Sequence, residues 1–160
     1  MKDIVSILLT IALIAGSSYH FYKRSRNIFV EVTQSYWIWT QLITLGLLVW
    51  IGFQFANSIW HYLLVASAIL YFISGPLARG ISKSDFSVFR GTLSIMIPIS
   101  FAKVDRVVLT KDLEKKRINL LGKANNQYFA QSFPLSDEGK LIAHLKQANI
   151  EVDVQDVTRP

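Results

Sequence analysis

The feature that most limits this chain is a gap in its charges: no Asp, Glu, Lys or Arg lies between Glu31 and Arg79. Soluble domains carry roughly one charged residue in four, so a stretch of this length points to hydrocarbon as its solvent. Its apolar block, from Tyr36 to Pro76, has 41 residues. As one helix it would extend about 60 Å, twice the roughly 30 Å of bilayer hydrocarbon. The block therefore has to fold back. The break falls at Gln54-Phe55-Ala56-Asn57-Ser58, where Gln and Asn reach headgroups or water. Spans are expected near 36–55 and 59–77, both helical, because a lipid-exposed loop at mid-depth strands its backbone polar groups.

A further apolar run, IVSILLTIALIAG onward, predicts a first span over about 4–22 that ends in Lys23, Arg24 and Arg26. A cleaved signal peptide is the rival, with Ala15-Gly16-Ser17 as its cleavage site. Its n-region would be only Met1-Lys2-Asp3, and the positive charge follows the apolar run instead of preceding it, so a retained span is expected. The organisation expected is a three-helix transmembrane region over 1–78 and a small α+β domain over 79–160.

Sidedness follows from Lys/Arg asymmetry. The first connector carries Lys23, Arg24 and Arg26, the turn near Asn57 carries no charge, and Arg79, Lys83 and Arg90 follow the third span. With three spans, the first connector and the C-terminal domain share a side, and both are basic. The positive-inside rule puts them in the cytoplasm and the N-terminus outside, a multi-pass protein of the cell membrane. Tyr36, Trp37 and Trp39 are expected as inner-interface anchors and Trp60 and Tyr62 as outer ones, with Lys23, Arg24, Arg26 and Arg79 as charged anchors. His20 and His61 read as interfacial histidines, and Thr40, Gln41 and Thr44 as bonds between helices.

From Arg79 to the end there are 13 Lys/Arg and 9 Asp/Glu, an ordinary soluble balance, and the patterning changes from continuous to alternating. Strands are expected at 85–90, 93–99, 101–110, 117–121 and 127–133, with 122–126 as a hairpin loop. A helix should follow, N-capped by Ser136, with Leu141, Ile142 and Leu145 as its buried stripe. Ile150, Val152 and Val154 suggest a short last strand.

The runs Ile81-Ser82-Lys83-Ser84-Asp85-Phe86-Ser87-Val88-Phe89-Arg90-Gly91 and Ile97-Pro98-Ile99-Ser100-Phe101-Ala102-Lys103-Val104-Asp105-Arg106-Val107, in this layout, resemble bacterial pleckstrin-homology-like domains attached to membrane spans. The full chain is similar to the uncharacterised YobD-like family of three-span bacterial membrane proteins. That resemblance implies a curled antiparallel sheet or partial barrel capped by one helix. It implies no reaction and no agreed ligand. Headgroup-binding members of the eukaryotic superfamily carry several Lys/Arg in the first hairpin, whereas Arg90-Gly91-Thr92-Leu93-Ser94 offers one, so phosphoinositide binding does not carry over.

The chain has no cysteine, which removes thiol nucleophiles and Cys-based zinc sites. It carries no Gly-rich phosphate loop, His-Glu-x-x-His or nucleophile elbow. Its three histidines are split by the expected topology, so neither a metal nor another cofactor is expected. The pI of 9.7 fits a membrane protein's topological bias, and no aromatics interleave the basic cluster, so nucleic acid is not an expected partner. Arg106 and the turn Lys115-Lys116-Arg117 are the candidate contacts for anionic lipid or a partner. The function expected is a non-enzymatic, membrane-tethered adaptor that binds the bilayer and another membrane protein or itself. The alternative is an immunity protein that protects against a pore-forming peptide bacteriocin, to which small membrane proteins with such domains are similar.

Overall fold

The computed structural model describes residues 2–32, 35–90 and 95–156. They form two compact units, one of residues 1–25 and 33–78, the other of residues 26–32 and 79–160.

The first unit is helical: α1 (Lys2–Arg26), α2 (Ser35–Phe55) and α3 (Ile59–Leu77). All three are long and apolar enough to cross a membrane. The last two match the expected bounds, and α1 runs on through its basic end. The chain reverses over Ala56–Ser58, and Ser58 enters α3 in an extended conformation. Its hydroxyl donates to Asp3 Oδ1 at 3.3 Å rather than capping the helix. Pro76 sits in the last turn of α3, where its missing N–H leaves the Phe72 carbonyl, four residues back, without its helical donor. Large apolar side chains stand outward along all three helices, among them Leu8, Ile11, Leu42, Ile43, Leu47 and Phe53. So much exposed apolar surface suits lipid and would aggregate in water.

Contacts between these helices are close and polar, as expected where lipid competes equally for apolar surface. A Cβ at Gly16 of α1 would lie 2.6 Å from the Tyr71 ring, and one at Gly52 of α2 would lie 3.2 Å from Val65. His20 Nδ1 is 3.0 Å from Ser74 Oγ, and the His20 ring packs on Tyr71. His20 thus holds α1 to α3 and is buried. Gln41 does bond across helices, donating to Phe72 O at 3.4 Å, while Thr44 donates to Thr40 O within its own helix.

The second unit holds two four-stranded sheets. The first has the order β1-β2-β3-β4: β1 (Phe29–Val30), β2 (Gly80–Ile81), β3 (Asp85–Arg90) and β4 (Ile95–Ser100), all antiparallel. The second has the order β7-β6-β5-β8: β5 (Val104–Asp112), β6 (Arg117–Ala124), β7 (Gln127–Pro134) and β8 (Glu151–Asp156). The helix α4 (Glu138–Gln147) links β7 to β8. The two sheets are not closed into a barrel. Phe86, Phe101, Phe129, Phe133, Leu109 and Leu141 are among the residues of one shared core.

Four local expectations change. Phe101–Lys103 forms a 3-10 turn, because Phe101 turns in against Phe86 and its N–H bonds to Ser84 O at 3.0 Å. That turn separates the sheets. A bulge after Val104 leaves both Asp105 and Arg106 exposed, since the extra residue breaks the two-residue alternation. Gly122 is not in a loop but within β6, opposite Phe129, and the hairpin turn is Asn125-Asn126, both at positive φ, the geometry of a tight two-residue turn. Leu135–Asp137 forms another 3-10 turn, so Asp137 and not Ser136 precedes α4. Finally, β8 is parallel to β5, because the α4 crossover returns the chain in the same direction. Leu93 and Ser94, the start of the expected strand 93–99, lie outside the described residues.

Candidate functional site

The residues expected to carry contacts do not form one patch. Arg106 is opposite Lys123, while Arg117 is opposite Asp112 at the other end of the same ladder. Six residue steps along the strand separate them, or about 20 Å. The Arg106 Nη2 atom is 2.9 Å from Asp153 Oδ2, with both side chains well exposed. In the turn, Leu113, Lys115 and Lys116 project into solvent. The Lys115 N–H bonds to Asp112 Oδ1 at 3.0 Å, and Lys116 adopts φ 49°. Arg117 is half-buried, with its Nε enclosed. The turn therefore offers two lysines beside an exposed leucine, and Arg106 is engaged elsewhere.

Of the expected membrane anchors, Lys23, Arg24 and Arg26 lie in the last turn of α1, and Trp39 and Trp60 are exposed. The Trp37 side chain lies outside what is described. Arg79 has another role. Its Nη2 is 2.8 Å from Glu31 Oε1, with the Glu31 side chain only 6% exposed. The guanidinium also stacks over Phe89, 5.5 Å from the ring centre, and donates to Ala130 O at 3.5 Å.

Around that pair the second unit has a polar interior that sequence reasoning missed. Gln131 of β7 is buried and donates through Nε2 to Ser87 O at 2.8 Å and Gly80 O at 3.5 Å, tying the two sheets together. It also bonds to the Glu31 carboxylate, as does the Ser132 backbone. Burial pushes the Glu31 carboxyl up to about 7, partly opposed by the Arg79 charge and by those two hydrogen bonds. Glu31 Oε2, Arg79 Nε, Gln131 Oε1 and Ser87 Oγ are enclosed without a protein partner. Gly80 allows the close packing: its φ is +152°, and a Cβ there would meet Phe29 O at 2.2 Å. The available signal was that Glu31 and Arg79 bound the charge gap.

A groove of about 340 Å³ opens between the terminal strands β4 and β7, lined mainly by apolar side chains such as Phe89, Ile97 and Ile99, with Lys103 at its side and exposed Tyr128 at its lip. The three histidines are apart: His20 on Ser74, His61 accepting the Asn57 N–H at 3.3 Å, and His144 Nε2 at 3.1 Å from Ser82 O. Among the described residues no group of three or more His, Cys, Asp or Glu is placed to hold a metal.

Fold and surface together define a protein with three helices long and apolar enough to cross a membrane and a separate sheet-rich unit. No family model matches the chain, and neither curated proteins nor solved structures supply a match.

Proposed function

We propose that this protein is a membrane-tethered, non-enzymatic interaction protein that presents a pleckstrin-homology-like domain at the cytoplasmic leaflet. The observation that carries the reading is the way the second unit is anchored. Its first sheet is built from both chain segments that flank the α2–α3 hairpin: β1 begins three residues after α1 ends, and β2 three residues after α3 ends. The β1–β2 ladder joins those segments inside the domain, and Arg79 of one lies 2.8 Å from Glu31 of the other. A domain built this way is joined to the helical unit by short connections at both segments, which suits presentation of a surface to a partner in the same membrane. Antiparallel strands followed by an amphipathic helix support the pleckstrin-homology-like assignment. The parallel strand β8 and the division into two separate sheets depart from a closed antiparallel barrel.

The presented surface comprises the 113–117 turn, Arg106 and the strand edges, where an extended segment can add to a sheet. Cross-linking the full chain in native membranes, followed by mass spectrometry, tests this. A specific partner or self-adduct is expected, with reduced yield in Lys115→Ala/Lys116→Ala and in Arg106→Ala. Equal yield from all variants would remove these residues from the interface. The absence of any specific adduct would overturn the interaction reading.

A further inference from the structure

We propose that the Glu31 carboxyl is a proton-operated latch: its protonation state sets how tightly segment 26–32 is held to the rest of the second unit. This holds whatever the domain binds.

The geometry makes Glu31 both buried and mechanically placed. Segment 26–32 joins the unit through few backbone hydrogen bonds besides its two-residue strand: Ile28 N–H to Ile81 O at 2.8 Å, Glu31 N–H to Arg79 O at 3.3 Å and Val32 N–H to Ser132 O at 2.7 Å. Two of those three lie at or beside Glu31. Strands β1 and β2 have two residues each, so this ladder is short and belongs to the parts of a fold that open most readily. The side chain of Glu31 is the polar plug beneath it.

The groups facing that plug are known from each packed element. The residue preceding β2 contributes Arg79, at 2.8 Å. Strand β7 contributes Gln131 and the backbone of Ser132, both hydrogen-bonded to the carboxylate. Strand β3 contributes Ser87 and the Phe89 ring, and the segment itself contributes Asn27 beside Gly80. The charged group found against Glu31 among the described residues is Arg79. One cation and two neutral donors face the carboxylate, while Glu31 Oε2 is enclosed with no donor. Deprotonation releases a proton to bulk water and leaves a desolvated anion that these groups only partly compensate.

The direction follows from linkage. The folded carboxyl titrates at about 7 against an ordinary 4.5. Glu31 therefore contributes most to the closed segment below pH 4.5. That contribution declines as pH rises through the folded value near 7, and above it both states are deprotonated and the effect is constant. Across that window the opening equilibrium of the segment should rise on the order of a hundredfold.

The test uses the full chain in detergent micelles. Hydrogen exchange of peptides covering 26–32 and 79–82 is followed from pH 5 to 8.5 and corrected for intrinsic exchange rates. In the wild type, protection should fall with rising pH and level off above neutrality. Glu31→Gln, which keeps the shape without the titration, should make protection independent of pH. The same slope in both proteins would overturn the latch. Carbon-13 titration of the four glutamate carboxyls of the wild type decides the matter even where the variant fails to fold. One carboxyl should titrate near neutral pH, and all four titrating in the ordinary range would overturn the proposal.

Discussion

Replacing Gly122 with alanine should destabilise the second unit far more than adding one methyl group suggests. Gly122 stands opposite Phe129 across the β6–β7 ladder. A Cβ at 122 would lie 2.2 Å from the far edge of the Phe129 ring and 2.5 and 2.8 Å from its two neighbouring carbons. The ring cannot simply shift, because its centre is 5.0 Å from that of Phe86 and it belongs to the shared core. Either the strands part or the ring leaves. Overpacking a well-filled core costs about 1–3 kcal/mol, and full burial of a phenylalanine is worth about 1.5–3 kcal/mol, so about 2–3 kcal/mol should be lost. Gly139→Ala is the matched control. It sits in α4 with nothing within 4 Å of the new Cβ, and exchanging glycine for alanine in a helix gains up to about 1 kcal/mol. The same chemical change should thus act with opposite signs at two sites. All four tryptophans, Trp37, Trp39, Trp50 and Trp60, lie in the first unit, so tryptophan fluorescence does not report on this effect. Pulse proteolysis or hydrogen exchange of peptides from 104–134 does. A Gly122→Ala protein within about 0.5 kcal/mol of wild type, the ordinary range for surface changes, would refute the packing argument. Adding Phe129→Leu should relieve the clash, so the double variant should lose less than the two singles combined.

Gly80→Ala should loosen segment 26–32 by about 1–3 kcal/mol, because the backbone at φ +152° and the approach to Phe29 O both exclude a side chain; faster proteolytic cleavage in that segment is the readout. Gly16→Ile should free α1 from Tyr71 and break the His20–Ser74 contact, seen as a loss of α1 protection in micelles while the second unit keeps its own. Because the chain has no cysteine, sidedness can be mapped directly: an impermeant maleimide should label Asn57→Cys on intact cells and Leu113→Cys only after permeabilisation, and the reverse pattern would invert the proposed topology. Arg106→Ala should cost under about 1 kcal/mol, since its partner Asp153 is exposed; a larger loss in thermal unfolding would mean that the pair is structural.

The spans were legible because hydrocarbon thickness acts on composition and length alone. The expected limits 36–55 and 59–77 fall within a residue of α2 and α3. Most strands were legible through alternation, which holds wherever one face is buried. The failures have local causes. Phe101 broke the strand pattern because a ring drawn into the core outweighed the extended preference of its neighbours. Gly122 looked like a turn because a glycine in sequence does not reveal whether backbone freedom or a ring lying over it demands the missing side chain. The parallel placement of β8 depended on where α4 carries the chain, which alternation does not encode. The basic candidates were visible as charges, but their separation along the β5–β6 ladder required the register.

Glu31 and Arg79 connect the parts that sequence made plain with those it hid. As sequence they are the last charge before the apolar stretch and the first one after it. Pairing residues that far apart costs little only when the intervening chain returns to its starting level. Here α2 has 21 residues and α3 has 19, giving legs of about 32 and 29 Å, so a helical hairpin returns the chain to near its starting level. The hydrophobic length that suits two spans thereby also delivers the two flanking charges to one point. A carboxylate and a guanidinium brought together at a buried point must be either matched or costly, and Glu31 Oε2 and Arg79 Nε, both enclosed without a partner, leave this pair incompletely matched. The same near-equality of the two helices that makes the hairpin possible thus places a titratable group where it can act on the domain's attachment.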